Sequence, residues 1–229
     1  MSVLTNRTIK PGWTEILAGL GTLAVVAFGL PYLLNATGVS DRLSPVVGGL
    51  FLAALSGVAG LAGFLVADRI RIRDWAAFGI VRTSTRWLLI GIAGGLLAMV
   101  LSRLAAAAFL YLAGPADDIQ APYREAAQGG LVTVILSILF LAILTPIGEE
   151  FLFRGVVTTA LLRYGALIGV IASSVIFALA HGLNSAFLTA LIVGLVAAEL
   201  RRRSGSIWPA VLVHVVNNLI GQLIVVALT

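Results

Sequence analysis

The chain has 229 residues, of which 60% are hydrophobic and only 11% are charged, whereas a soluble domain carries roughly 25% charged residues. Its net charge of +5 comes from basic residues in short connections between apolar runs, which membrane topology explains, so nucleic acid is excluded as a partner. The absence of cysteine excludes disulfides, thiolate metal sites and a cysteine nucleophile.

Uncharged apolar stretches long enough to cross a bilayer, about 20 residues each, follow one another along the chain. The fold class that they predict is an all-α polytopic membrane protein, a bundle of about seven transmembrane helices. "HGLNS" (181–185) is predicted to break an uncharged stretch that is too long for one helix across the membrane. The predicted spans are 13–35, 45–67, 87–113, 129–146 (continuing to about 163), 166–183, 185–200 and 206–228.

Charged connections predict the orientation of this bundle. The start of the chain and the connections after the second and sixth spans are net basic, whereas the connection after the third span is net acidic. The positive-inside rule therefore predicts a multi-pass protein with a cytoplasmic N-terminus. The charged residues concerned are Arg7, Lys10, Asp68, Arg69, Arg71, Arg73, Asp74, Arg82, Arg86, Asp117, Asp118, Arg124, Glu125, Glu199, Arg201, Arg202 and Arg203.

The stretch "PIGEEFLFRG", which begins at Pro146, places two carboxylates and an arginine directly after an apolar run. Thr145 and Pro146 predict the N-cap and first position of a new helical segment, or a kink in a segment longer than a bilayer needs. Glu149 and Glu150 would then lie in its first turns, where the helix dipole favours negative charge. Glu150 and Arg154 are spaced for an ion pair, whereas Glu149 points about 100° away without a local partner. The alternative is an interfacial helix end whose charges meet water.

Both histidines of the chain lie in apolar surroundings. His181 follows Phe177 by one helical turn, and His214 precedes Asn218 by one turn. An ionisable group inside a membrane is costly and indicates a functional site, although each histidine could instead make a hydrogen bond between packed helices. An antiparallel pair of helices would bring Glu149 and His181 to the same level, about 23 Å from the turn between them. The spacing therefore predicts one shared polar site.

Two chemistries fit these residues. Glu149, His181 and His214 could hold zinc, since two histidines and a glutamate form a known catalytic zinc set, but the H-E-x-x-H signature is absent. Without metal, Glu149 would act as general base on a water that His181 helps to hold. His214 and Asn218 would then donate hydrogen bonds to the oxyanion of a tetrahedral intermediate. The amide of Asn218 favours the metal-free alternative, because it suits an oxyanion better than zinc.

Three motifs occur in order: E-E-x-x-x-R at Glu149, Glu150 and Arg154, F-x-x-x-H at Phe177 and His181, and H-x-x-x-N at His214 and Asn218. Together with "RRRSGSIWPAVLVHVVNN", they resemble the CPBP intramembrane proteases, a family that includes the type II CAAX prenyl endopeptidase and Abi-like proteins. The resemblance covers residues from about 129 to 224, while the first three spans match only as hydrophobic segments. It divides one integrated bundle into N-terminal helices and loops (1–128) and a catalytic core (129–229).

The resemblance implies an intramembrane endopeptidase that hydrolyses a membrane-associated or lipidated peptide. Glu149, His181, His214 and Asn218 would be catalytic, and the supporting residues would be Glu150, Arg154 and Phe177. No cofactor is favoured, and zinc is the alternative; the partners would be a peptide or protein substrate and the lipid bilayer. The competing functions are a non-catalytic membrane scaffold or immunity protein, or a transporter with a proton relay. The complete set of site residues argues against the scaffold, and no inverted repeat supports the transporter.

Overall fold

The computed structural model describes residues 9–114 and 120–228, and these form an all-helical bundle. Of the charged residues behind the orientation prediction, Arg7, Asp117 and Asp118 lie outside the described residues. A short helix, Ala121–Ala126, precedes the fourth of seven long helices in the described ranges. The long helices are α1 (Trp13–Ala36), α2 (Pro45–Arg71), α3 (Thr85–Ala113), α4 (Leu131–Tyr164), α5 (Ala166–Ala180), α6 (Ala186–Ser204) and α7 (Trp208–Leu228).

Five helices of the described chain, α1, α2, α3, α4 and α7, are long and apolar enough to cross a membrane. Helix α5 is apolar but has only 15 residues, and α6 ends in three arginines. The predicted break between them is confirmed, because Gly182 has a φ of +84° in the turn that separates the two helices. The fold class is therefore confirmed, and the chain is an integral membrane protein.

The prediction that a new helix is capped by Thr145 is wrong. Helix α4 runs without interruption for 34 residues, and Thr145 itself has helical backbone angles. Its hydroxyl donates to the Ala53 carbonyl of α2 at 3.1 Å instead of capping a helix. Glu149 and Glu150 consequently lie inside a long helix, so the dipole of a helix N-terminus does not stabilise their charges.

Helix α4 contains wide, π-helical turns where the sequence predicts a helix start or a kink. They span Leu139–Leu144 and Phe151–Thr158, on either side of the two glutamates. A proline inside a helix removes one backbone donor and crowds the preceding turn, and here a wide turn lies directly before it. Such turns recur at functional sites in other proteins. Here they flank the segment that carries the carboxylates.

Helices α2 and α4 touch through their backbones. A Cβ added at Gly148 would lie 2.0 Å from the Gly57 carbonyl oxygen, and one added at Gly60 would lie 2.5 Å from the Gly148 carbonyl group. Small residues allow this close approach, which is the usual basis of helix association in membranes. The contact lies directly beside Glu149, so side chains of α2 next to Gly57 come within reach of the carboxylate.

Aromatic rings fill the core beyond the glutamates. The ring of Phe64 meets those of Trp75, Phe78 and Phe151 edge to face, with centroids 5.7, 5.3 and 5.1 Å apart. Phe151 also contacts Trp208 at the start of α7, with a centroid distance of 6.0 Å. Such pairs add about 0.5–1.5 kcal/mol each beyond burial, so they hold α2, α4 and α7 together next to the charged residues.

Helix α1 is attached to the ends of α2 and α4 by polar contacts. Glu15 is fully buried and pairs with Arg71 at 2.6 Å. The indole of Trp13 donates to the hydroxyl of Tyr164 at 2.8 Å, where α4 ends. These contacts tie the first helix to the end of the bundle where α2 and α4 terminate.

Candidate active site

The side chains of Glu150 and Arg154 form the buried ion pair that their spacing predicts. Their nearest charged atoms are 3.0 Å apart, and the two side chains are 0% and 1% exposed. Arg154 also donates to the Gly194 carbonyl of α6 at 3.2 Å, and its guanidinium lies 4.4 Å from the centre of the Phe177 ring. The Glu150 carboxylate meets Nδ1 of His214 at 2.9 Å. Glu150 thus joins α4 to α7 through one oxygen, Oε1, which contacts both Arg154 and His214.

The ring of Phe177 packs against both imidazoles and the guanidinium of Arg154. Its ring centroid is 4.6 Å from that of His181 and 5.7 Å from that of His214, with steep interplanar angles in both cases. On another side it meets Phe153 of α4 at 4.9 Å. Phe177 is itself 1% exposed. Its contacts with both imidazoles and with Arg154 fit a supporting role.

Glu149 points about 100° away from Glu150 around the helix axis, and its carboxylate lies near both histidines. One oxygen, Oε1, accepts a hydrogen bond from the hydroxyl of Ser56 in α2. The other, Oε2, is 3.7 Å from Nε2 of His181 and 3.9 Å from Nε2 of His214. No group in the described ranges hydrogen-bonds to this buried oxygen. Three polar atoms therefore surround one small volume.

The hydrogen bonds of the Nδ1 atoms of His181 and His214 indicate which ring nitrogen carries a proton. Nδ1 of His181 lies 2.9 Å from the Phe177 carbonyl, which can only accept, so this nitrogen carries a proton. Nδ1 of His214 likewise donates to Glu150, whose charge is set by its pairing with Arg154. A neutral ring then presents a lone pair at Nε2. Either a water that donates to these atoms, a doubly protonated ring or a cation is needed between them and Glu149.

Asn218, the fourth predicted catalytic residue, lies one turn further along α7 and bonds elsewhere. Its Nδ2 donates to the Leu141 carbonyl at 3.0 Å. The backbone N–H of Thr145 donates to the carbonyl of Phe140, five residues earlier. At the same spacing, the carbonyl of Leu141 would accept from Pro146, but proline has no N–H. The amide of Asn218 thus supplies a donor that the proline removes. Its second N–H stays available for other partners, since each amide nitrogen carries two.

The exposure of the site differs from side to side. The side chains of Glu149 and His214 are 4% and 5% exposed, whereas that of His181 is 29% exposed. His181 lies at the end of α5, beside the turn that contains Gly182. The side of the site that is open to its surroundings is therefore the side of His181.

The donor types around Glu149 suit zinc better than their spacing does. Two imidazole nitrogens and one carboxylate oxygen form a familiar ligand set, and each ring is oriented through its other nitrogen, as metal-binding histidines are. Ligands at about 2.0–2.1 Å from one zinc in tetrahedral geometry lie about 3.3–3.4 Å apart, less than the 3.7 and 3.9 Å found here. Within residues 9–114 and 120–228, no group of three such side chains is arranged to hold a metal ion.

Ser56 is the site residue that sequence reasoning missed. It lies in α2, outside the three motifs, and a serine among apolar residues carries no signal of its own. The glycines that follow it at helical spacing, Gly57, Gly60 and Gly63, do carry one, because they predict a helix face that approaches another backbone closely. That signal would have placed Ser56 at a helix interface, though not beside Glu149.

The fold and this cluster define a class of protein: a helical integral membrane protein with charged side chains gathered inside its bundle. Residues 131–220, from the start of α4 into α7, match the family model for type II CAAX prenyl endopeptidase Rce1-like proteins. This match confirms the resemblance noted from the motifs and supports a CAAX-type intramembrane protease at the level of the family. No curated protein and no solved structure matches the chain.

Proposed function

We propose that the protein is an intramembrane endopeptidase that hydrolyses a peptide bond of a membrane-associated or lipidated peptide. The observation that carries the proposal is the convergence of Glu149 Oε2 with Nε2 of His181 and His214 at 3.7 and 3.9 Å in a buried site. All three residues lie within the segment that matches the peptidase family.

Glu149 acts as the general base in this proposal. A water between Oε2 of Glu149 and Nε2 of His181 gives one proton to Oε2 while its oxygen attacks the carbonyl carbon of the peptide bond. The tetrahedral intermediate then collapses, the bond from carbon to nitrogen breaks, and the proton held by Glu149 passes to the leaving amine. The products are a carboxylic acid and an amine, and the enzyme returns to its starting state.

His214 stabilises the oxyanion, and for this its ring must be doubly protonated, because Nδ1 already donates to Glu150. The ring lies between the two carboxylates, with Nδ1 2.9 Å from Glu150 and Nε2 3.9 Å from Oε2 of Glu149. The second amide N–H of Asn218 adds a further donor. Both donors come from α7, one helical turn apart.

Zinc is the alternative to this metal-free scheme. Glu149, His181 and His214 would hold it, and it would supply a Lewis acid that polarises the peptide carbonyl. The metal-free scheme is preferred because it uses the donor of Asn218 and needs no contraction of the distances around Glu149.

Peptide cleavage by the purified protein in detergent tests the proposal. The probes are a peptide with a farnesylated cysteine near its C-terminus, the same peptide without the lipid, and an apolar membrane-spanning peptide, with products identified by mass spectrometry. We expect wild type to cleave at least one of them and Glu149→Gln to cleave none. Glu125→Gln, which removes a carboxylate in the short helix before α4, is the control and should retain activity. Equal cleavage by wild type and Glu149→Gln would contradict the proposal.

A further inference from the structure

Ser56 contacts the carboxylate that the proposed reaction uses as its base. Its hydroxyl donates to Oε1 of Glu149, across the interface of α2 and α4. The backbone contact of Gly57 and Gly60 with Gly148 sets the distance between the two helices at this level. Ser56 precedes Gly57 in the sequence, so its hydroxyl is held at the carboxylate by the packing of both helices.

The contact makes the two oxygens of Glu149 unequal. Oε1 is occupied by the serine hydroxyl, while Oε2 lies closest to the ring nitrogens of His181 and His214 and stays without a hydrogen-bond partner among the described groups. The terminal torsion of a glutamate is broad, so an unrestrained carboxylate would rotate and exchange its oxygens. A single donor on one oxygen restricts this rotation.

We propose that Ser56 is a positioning residue, which holds the plane of the Glu149 carboxylate so that Oε2 receives the proton of the attacking water. This inference rests on the proposed function, and it extends the site beyond residues 131–220 to the second helix of the chain. Ser56 forms no bond with the substrate in this role. It acts through Glu149, and its effect is on the orientation of the base.

A serine hydroxyl beside a carboxylate also has the composition of a nucleophile and its base. The geometry favours positioning, because the serine occupies Oε1 while both imidazoles approach Oε2, so attack by Ser56 would leave the histidines without a part in the proton transfer. A nucleophilic serine would react with a fluorophosphonate, and its loss would abolish cleavage. A positioning serine would not react, and its loss would leave residual cleavage.

Infrared difference spectroscopy of the purified protein tests the contact without a substrate. The carboxyl bands of Glu149 are identified as those that disappear in Glu149→Gln, and they are then followed in Ser56→Ala, Ser56→Thr and the control Ser102→Ala. Ser102 is a buried serine of α3 whose hydroxyl has no hydrogen-bond partner among the described groups. We expect the bands to shift in Ser56→Ala, to return close to wild type in Ser56→Thr, which keeps the hydroxyl, and to stay in place in Ser102→Ala.

Kinetics on a cleaved peptide supply the second readout. Ser56→Ala should lower kcat by about 10- to 100-fold, as displacement of a catalytic group does, with KM nearly unchanged and partial recovery in Ser56→Thr. Unshifted bands in Ser56→Ala would overturn the inference even if the protein is a peptidase. Fluorophosphonate labelling of wild type at Ser56, with complete loss of activity in Ser56→Ala, would overturn it in favour of a nucleophile. Absence of cleavage by wild type would count against the proposed function, while the infrared result would still judge the contact.

Discussion

Two neighbouring glutamates of one helix have different surroundings because successive helical positions point about 100° apart. Glu150 is held by Arg154 and His214, whereas Glu149 has one oxygen on Ser56 and one facing the histidines. The pairing of Glu150 with Arg154 was predictable, since it depends only on their spacing in one helix. The contacts with Ser56 and His214 were not, because they depend on how distant helices pack.

The two carboxylates should respond differently to the loss of charge. Glu149→Gln should fold normally and lose cleavage, because it removes the proposed base and keeps the side chain's shape. Glu150→Gln should lower thermal stability, because it leaves the buried guanidinium of Arg154 without its counter-charge, a loss that costs about 3–5 kcal/mol in other proteins. Thermal unfolding in detergent, measured beside peptide cleavage, distinguishes the two effects. A large loss of stability in Glu149→Gln alone would reverse these assignments.

Asn218 tests the oxyanion role and the metal question together. Asn218→Ala should lower kcat by about 100- to 1000-fold, as loss of one oxyanion donor does elsewhere. Asn35→Ala is the control and should keep kcat, since this exposed amide of α1 hydrogen-bonds to Ser40 and lies outside the segment that matches the family. Elemental analysis of wild type should find little metal, and mild chelation should leave cleavage intact. Stoichiometric zinc that His214→Ala removes, and whose return restores activity, would show the metal-free mechanism to be wrong.

At the scale of elements, the shape of α4 decides where its charges lie. The sequence Thr145-Pro146 predicts a helix start, because threonine is common at the N-cap and proline at the first helical position. In the fold, the same proline is accommodated after a wide turn, and its missing donor is replaced by the amide of Asn218 from α7. A helix start and a wide turn leave similar local signals, and only the contact with a distant helix separates them.

Close packing of α2 on α4 predicts a strong effect of one added methyl group. Gly148→Ala should lower the unfolding temperature and the yield of folded protein, because its Cβ would lie 2.0 Å from the Gly57 carbonyl oxygen. Overpacking of this kind costs typically about 1–3 kcal/mol, and more where backbone is met. Gly21→Ala in α1 is the control, since no described atom lies within 4 Å of its added Cβ. Unfolding of both variants at the temperature of wild type would show that the helices are less tightly packed.

For the whole molecule, hydrophobicity and charge predicted the positions of the long helices well. The uncharged stretches mark the helices within a few residues, because backbone groups in a bilayer must be satisfied inside the segment itself. The sequence predicts α5 and α6 as spans of their own. In the structure α5 has only 15 residues, and α6 has 19 residues but carries three arginines in its last turn, so neither is among the helices long and apolar enough to cross a membrane. Arg201 near the end of α6 donates to Thr159 of α4, and a hydropathy pattern does not predict such a contact between distant helices.

Orientation can be tested with single cysteines, since the natural chain contains none. Thr37→Cys lies between α1 and α2, and Ser84→Cys lies directly before α3, between two arginines; both positions are exposed. With a cytoplasmic N-terminus, a membrane-impermeant maleimide added to intact cells should label Thr37→Cys, while Ser84→Cys should react only after lysis. The reverse pattern would place the N-terminus outside.

The ion pair within α4 also bears on how the chain enters the membrane as it is made. A charged side chain at the centre of an inserting helix costs about 2.5–3.5 kcal/mol on the scale measured for the insertion machinery. Glu150 and Arg154 lie in the same helix, so they can pair when α4 enters the membrane, before α7 follows. Glu149 enters when Ser56 is already in the bilayer, whereas His214 arrives last. The order of residues along the chain thus lets each charged group of the site meet a partner soon after it leaves the ribosome.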